Sequence, residues 1–165
     1  LQLTKITTIG FLLLLVAACS TTTHSSGEQD LLQVGDKFSA IKIYDQHDKL
    51  RQVNDQTKIV LFAHDMGSND LVKEAMAMLD DSHLNTKNVV LLADISGMPS
   101  LIAKMVALPA MRERPYSMML DREGMATQDI ERKEDQVTVI YLDNMNVKNI
   151  EHLPDAQSVR KLLTD

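Results

Sequence analysis

Two apolar runs, Lys58-Ile59-Val60-Leu61-Phe62-Ala63 and Val89-Val90-Leu91-Leu92-Ala93, constrain what this chain can fold into more than any other feature. A strand with one wet face alternates apolar and polar residues. A run that does not alternate belongs to a strand covered on both faces. Between the two runs, Ser68-Asn69-Asp70 offers oxygen acceptors for the free amides of a helix N-terminus, and Val72, Ala75, Met76 and Leu79 then share one helical face. Pro99 opens a second helix, with Leu101, Ile102, Met105 and Leu108 predicted to face inward until Pro109 disfavours continuation. The pattern is a β-α-β-α alternation.

Shorter strands flank this unit. Ala40-Ile41-Lys42-Ile43-Tyr44 and Leu50-Arg51-Gln52-Val53, separated by the polar Asp45-Gln46-His47-Asp48-Lys49, form a candidate β-hairpin. In the second half, Tyr116-Ser117-Met118-Met119-Leu120 and Val137-Thr138-Val139-Ile140-Tyr141-Leu142 read as strands with no amphipathic helix between them. Asp143-Asn144-Met145-Asn146 supplies a turn into Val147-Lys148-Asn149-Ile150. Pro154-Asp155 starts a last helix, striped by Ala156, Val159, Leu162 and Leu163. No repeat or linker divides this stretch, so one domain with one compact core is expected.

The N-terminus is of a different kind. Lys5 precedes the uncharged Ile9-Gly10-Phe11-Leu12-Leu13-Leu14-Leu15-Val16 and the small pair Ala17-Ala18, which is the order of an export signal. The run stops short of the ~20 apolar residues of a membrane-spanning helix, and Ser20-Thr21-Thr22-Thr23-His24-Ser25-Ser26-Gly27 after it is polar. Val16-Ala17-Ala18-Cys19 resembles the lipobox of bacterial prolipoproteins, and that resemblance implies cleavage before Cys19 and acylation of Cys19. The expected division is a signal peptide over 1–18, a lipidated tether over 19–30 and a folded domain over 31–165. Two or more acyl chains make attachment durable where one does not, so the mature chain is expected to stay on a membrane of the cell envelope, facing the periplasm. Ser20 stands where an Asp resembles the inner-membrane retention signal of enteric lipoproteins, so the outer membrane is the expected address.

Charge and cysteine content exclude several classes of function. Removing residues 1–18 takes away Lys5 and moves the formal charge from −6 to −7, and no Lys or Arg run could follow a phosphate backbone. No nucleic acid is expected as a partner. The one cysteine, Cys19, permits no intramolecular disulfide and leaves the folded domain without thiol chemistry. The sequence holds no Gly-x-Gly-x-x-Gly loop, no His-Glu-x-x-His pair and no Gly-x-Ser-x-Gly elbow. Asp143 to Asn146 lacks the central Gly and terminal Glu of a calcium loop. His24, His47, His83 and His152 stand without partners at useful spacing and read as surface positions.

Element order and local motifs together resemble the thioredoxin-like superfamily, in its exported branch related to peroxiredoxins and TlpA-type proteins. Val34-Gly35-Asp36-Lys37-Phe38, with Tyr44-Asp45-Gln46-His47-Asp48, is similar to the superfamily's opening segment. Phe62-Ala63-His64-Asp65-Met66-Gly67-Ser68-Asn69 falls where its Trp-Cys-Gly-Pro-Cys turn lies, and Arg114-Pro115-Tyr116 falls where it usually carries a cis-proline facing that turn. The resemblance implies an α/β fold: a three-layer α/β/α sandwich with a central mixed sheet and an N-terminal β-hairpin. It also sets Met66 and Asn69 at the two cysteine positions, around a retained Gly67. Neither residue can form the thiolate that disulfide exchange and peroxide reduction require, so neither reaction is expected by those routes. A fold can outlast its family's chemistry.

In an open α/β sheet, ligands collect at the carboxyl ends of the strands. Those ends carry His64, Asp65 and Asp94 with Arg114 nearby, and the candidate binding rim is His64, Asp65, Met66, Asn69, Asp94, Arg114 and Pro115. His64 and Asp65 suit acid-base work or metal ligation; they also suit a solvated or helix-capping pair. Adjacent residues leaving a strand are expected to point apart, and no third ligand is specified. Arg114 suits an anion or a partner's carboxylate, while Arg112-Glu113-Arg114 also suits a solvent loop with local ion pairs. Ten methionines raise the question of copper, for which thioethers are soft ligands. Met76 and Met78, like Met118 and Met119, are spaced onto different faces, and methionine is a flexible core filler, yet Met66, Met98 and Met111 could meet at the sheet rim. The resulting expectation is a lipid-anchored envelope protein whose cysteine-free rim binds a protein or peptide, with no catalytic residue and no cofactor assigned. The competing expectations are a metal-handling protein for copper or zinc, a thiol-independent enzyme built on His64, Asp65 and Asp94, and a purely structural lipoprotein.

Overall fold

The computed structural model describes residues 30–165. The export signal, Cys19 and the tether through residue 29 lie outside the described residues. The two apolar runs become β3 (Ile59–Ala63) and β4 (Val89–Asp94). They are parallel and in register from the Ile59–Val89 pair to the Ala63–Ala93 pair. A parallel pair needs a crossover, here α1 (Met66–Ala75) followed by α2 (Asp81–Thr86). Each helix begins on an aspartate that caps it, Asp65 and Asp80 respectively, so the expected capping stretch Ser68-Asn69-Asp70 lies inside α1, where Ser68 completes the capping box from the third helical position. β5 (Met119–Asp121) lies parallel to β4. β6 (Val137–Asp143) runs antiparallel to β3, and β7 (Asn146–Leu153) antiparallel to β6. The sheet order is β5-β4-β3-β6-β7. β1 (Lys42–Tyr44) and β2 (Leu50–Gln52) form a separate antiparallel hairpin, joined to the sheet by a bridge between Asp45 and Met119. This is the expected mixed sheet with an N-terminal hairpin.

The sheet divides the expected single core in two, because successive residues of a strand face opposite sides. Leu61 and Ala63 of β3 pack with Val72 and Met76 of α1 and with Val159 and Leu163 of α5 (Ala156–Thr164). Val60 and Phe62 pack on the other side with Phe38, Ile41 and Val53 from the N-terminal segment and Ile130 from the connection between β5 and β6. Helices therefore cover one face of the sheet. The hairpin region and the long β5–β6 connection cover the other. Burying a side chain such as Leu61 or Phe62 stabilises the fold by ~1.5–3 kcal/mol, which is why the runs cannot tolerate a polar interruption.

The stretch between β4 and β5 departs from expectation. It forms α3 (Ser100–Ile102), a π-helical turn (Ala103–Ala107) and α4 (Leu108–Arg112). Leu101, Ile102 and Met105, predicted to face inward, are 66%, 47% and 70% exposed. The helix also runs through Pro109. Both departures follow from the π turn, in which the Leu108 amide donates to the Ala103 carbonyl five residues back. A π turn inserts one residue into the helical register; Leu108 still packs against the core, as expected, and Met111 joins it. Pro109 falls in the first turn of α4, where a missing N–H costs little. No helix among the described residues is long and apolar enough to cross a membrane.

Candidate functional site

The site begins where β3 ends. Asp65 has extended backbone (φ −132°, ψ −179°) and is the N-cap of α1. Its Oδ1 accepts the Ser68 amide at 2.7 Å and the Ser68 hydroxyl at 2.6 Å. Its Oδ2 accepts the backbone amide of Asp135 at 2.9 Å and lies 3.3 Å from His64 Nε2. His64 and Asp65 thus meet, contrary to the expectation for adjacent residues, because Asp65 has already left the strand pleat to cap the helix. Burial would raise the Asp65 carboxyl, but the Ser68 hydroxyl and amide, the Asp135 amide and the neighbouring His64 outweigh it and hold the group below its ordinary value. An ionised carboxylate with both oxygens committed is a poor proton donor and an encumbered base. His64 Nδ1 and Asn69 Oδ1 are buried without hydrogen-bond partners. Asn69 Nδ2 donates to the Asp65 carbonyl at 2.8 Å.

Gly67 has a steric role. A Cβ on it would stand 1.9 Å from Asp135 Oδ1 and 3.1 Å from Asp135 Cα. The connection that Asp65 holds down leaves no room for a side chain.

Asp94, at the end of β4, is 8% exposed. Its Oδ2 accepts Arg132 Nη2 at 2.8 Å and its Oδ1 accepts the Ser96 amide at 2.9 Å. Burial would raise this carboxyl too, and Arg132 with Ser96 more than offsets the effect. The Arg132 guanidinium also lies 5.5 Å from the centroid of the Phe62 ring. Sequence reasoning missed Arg132: in the polar stretch Glu131-Arg132-Lys133 nothing distinguishes it. Arg114 does not pair with Asp94. Its guanidinium sits 5.9 Å from the Tyr116 ring centroid and approaches Met118 Sδ at 3.8 Å. Arg112 makes the ion pair of that segment, to Asp48 at 2.8 Å.

A hollow of about 570 Å³ at the carboxyl ends of β3 and β4 is lined by His64, Asp65, Met66, Asn69, Asp94 and Arg114. Ile95, Met98, Ile102 and Met111 form part of its apolar wall, and Asp70 also lines it. That volume lies within the ~300–1,000 Å³ usual for ligand sites. Pro115 is not part of it; it borders a neighbouring hollow with Lys73, Met76 and Tyr116. No peptide bond among the described residues is cis, so the bond before Pro115 is trans. Met66, Met98 and Met111 do converge on one hollow. Among the described residues, no three of His, Cys, Asp and Glu are grouped to hold a metal ion.

No protein-family model matches the chain, and no curated protein matches it. Solved structures do. A candidate protein disulfide isomerase from Bacteroides thetaiotaomicron superimposes with a TM-score of 0.54 at 11% identity, over 81% of this chain and 92% of that one. A candidate thiol:disulfide interchange protein DsbE from Chlorobium tepidum gives 0.54 at 14% identity, over 80% and 93%. A peroxiredoxin-like protein from Aquifex aeolicus gives 0.51 at 10% identity, over 81% and 86%. At such identities the likeness concerns the fold: the domain has a thioredoxin-like α/β fold.

Proposed function

We propose that this thioredoxin-like domain is a binding module of the bacterial envelope, anchored by lipid at Cys19, without thiol redox turnover, and taking an apolar segment of a protein or peptide in the hollow beside β3 and β4. The observation that carries this reading is the hollow itself, which gathers six rim residues, Met66 and Asn69 among them, and has a largely apolar wall. The two carboxylates that acid-base chemistry would need are spent elsewhere. Asp65 closes α1 and holds Asp135; Asp94 is paired with Arg132. The apolar wall holds Ile95, Met98, Ile102 and Met111, and methionine re-packs readily around different apolar partners. Arg114 at the margin supplies a polar group to orient a bound segment.

The test is titration of the lipidated protein with fluorescent apolar peptides, read by anisotropy. Wild type should bind, and Met98→Glu or Ile102→Glu should weaken binding by about tenfold or more, ~1.4 kcal/mol. Equal binding by all three proteins would remove the hollow as the site. Reduction of insulin disulfides or of peroxide by wild type would end the redox-inactive reading. Palmitate labelling of the chain, lost in Cys19→Ser, with membrane fractionation, tests the anchor and the outer-membrane address.

Metal handling is the second reading, favoured by the convergence of His64, Met66, Met98 and Met111 on one hollow. Thioether sulfur suits Cu(I). Stoichiometric copper or zinc binding that is lost in the His64→Ala, Asp65→Ala variant supports it, and no binding in either protein removes it.

A further inference from the structure

The two hollows beside the rim are the two ends of one cleft. Ala110 and Arg114 line both. On the opposite wall, Met66, Asn69 and Asp70 of α1 line the hollow of about 570 Å³. Lys73, Met76 and Ala77, at the C-terminal end of that helix, line the second, of about 350 Å³. Residues three and four apart share a helix face, so the cleft follows α1 from end to end. The 10 residues of α1 rise by about 15 Å, the span of about five residues of extended chain.

The ends of the cleft differ in charge. Asp65, Asp70 and Asp94 line the first hollow, where Arg132 holds Asp94. Lys73 and Arg114 line the second with one acid, the exposed Glu113. Neither cation forms an ion pair among the described residues. Lys73 is not needed to close the helix, because Arg160 donates to the Glu74 and Ala75 carbonyls there. The hydrogen bond that Arg114 makes goes to Met118 Sδ, a weak acceptor. Tyr116 also lines this hollow; it is 3% exposed, and its hydroxyl is buried without a hydrogen-bond partner. Burial pushes that phenol above its ordinary pKa against the pull of the Arg114 cation, so at neutral pH it keeps its proton and is a donor lacking an acceptor.

We infer that the second hollow is a carboxylate site, in which Lys73, Arg114 and the Tyr116 hydroxyl receive a carboxylate of the segment whose apolar part lies against Met98 and Met111. The inference deepens the peptide-binding reading above and rests on it. A carboxylate supplies what these three groups lack: two oxygens that accept from a guanidinium and from a further donor, and a charge opposite to theirs. Arg114 borders both hollows, so it stands where the apolar part of the segment gives way to its charged part. Asp70, in the first hollow, repels the same carboxylate from the other end, so the segment lies in the cleft in one direction. Its chemistry is then a short apolar stretch with a carboxylate within about five residues of extended chain.

The experiment titrates the lipidated full-length protein in detergent, with empty micelles as the blank, with three short peptides of leucine and methionine that carry an uncharged fluorophore. One ends in a free carboxylate, one in an amide, and one is the amide with a glutamate near its end. At low salt the free acid, the glutamate peptide or both should bind about tenfold tighter than the plain amide. Whichever does so identifies the carboxylate as a chain terminus or a side chain. The ratio of acid to amide affinity should fall toward one in Arg114→Gln and as salt is raised, and should fall at least about threefold in Lys73→Glu. Lys73 is exposed, so that variant decides the matter if Arg114→Gln melts early. Equal binding of the three peptides by wild type overturns the carboxylate site and leaves the apolar hollow standing. So does a ratio that both variants preserve. Binding of none of the peptides by folded wild type overturns the peptide reading, and this inference with it.

Discussion

Asp65 accepts the backbone amide of Asp135 at 2.9 Å across 70 residues of chain. The same carboxylate closes the first turn of α1 through Ser68. One side chain therefore joins the start of the crossover helix to the β5–β6 connection, and both border the rim. A residue with the look of an acid-base group is the fastening of the site.

Replacing Asp65 by alanine removes a helix cap and leaves the Asp135 amide without its acceptor. A lost cap costs ~0.5–2 kcal/mol, and the second bond adds about 1 kcal/mol. Urea denaturation of Asp65→Ala should show a loss of about 2 kcal/mol, with Asp65→Asn losing less.

Acid should act through the same carboxylates. Asp65 and Asp94 are held below the ordinary value of 3.8, and Asp80 is held at about 2, chiefly by the Ser82 hydroxyl. A group whose native pKa is depressed contributes its stability above the unfolded value and loses it as pH falls through the native value. Unfolding free energy should therefore hold between neutral pH and the ordinary carboxylate range, then decline below it. Asp65→Asn should show a shallower acid decline, and an identical decline would refute the assignment.

Gly67→Ala forces a Cβ against Asp135. Overpacking of this kind costs ~1–3 kcal/mol, readable as a lower Tm. Asp135 itself has φ 56°, a conformation glycine adopts without strain, and its backbone amide is what Asp65 needs. Asp135→Gly should therefore relieve most of the Gly67→Ala defect in a double-mutant cycle.

Arg132→Met leaves Asp94 buried and unpaired. Breaking a buried pair costs ~3–5 kcal/mol, but the Arg132 side chain is 32% exposed, so a loss of about 2 kcal/mol is expected after screening. Adding Asp94→Asn should recover part of it. Additive losses in the cycle would contradict the pairing.

The double variant Met66→Cys, Asn69→Cys places thiols at the first and fourth positions of α1. It should close a disulfide on oxidation and reduce insulin above the wild-type background, whereas either single variant should not. Failure of the pair to close would show that this turn does not hold disulfide geometry.

Six of the seven candidate rim residues line one hollow, and the reason is topological. His64 to Asn69 follow β3, Asp94 ends β4, and parallel neighbours deliver their carboxyl ends to the same edge. Pro115 precedes β5 in a loop whose course no periodicity encodes, and it borders the adjoining hollow. Arg132, which neutralises Asp94, had no legible signal because a long-range ion pair leaves no spacing in the chain.

What the sequence by itself determined is local and repetitive: two doubly buried strands, a helical crossover between them, the apolar stripe of the last helix, and a domain whose described residues contain no thiol. These follow from periods of two and 3.6 residues and from composition. Only the tertiary structure decided which aspartate meets which arginine, that Asp65 faces His64 and Asp135, and that Leu101 to Val106 turn outward. Each of those depends on contacts between segments distant in the chain, or on a single inserted residue in a helical turn. A change of register of that size alters which face is wet without altering the pattern from which the face was read.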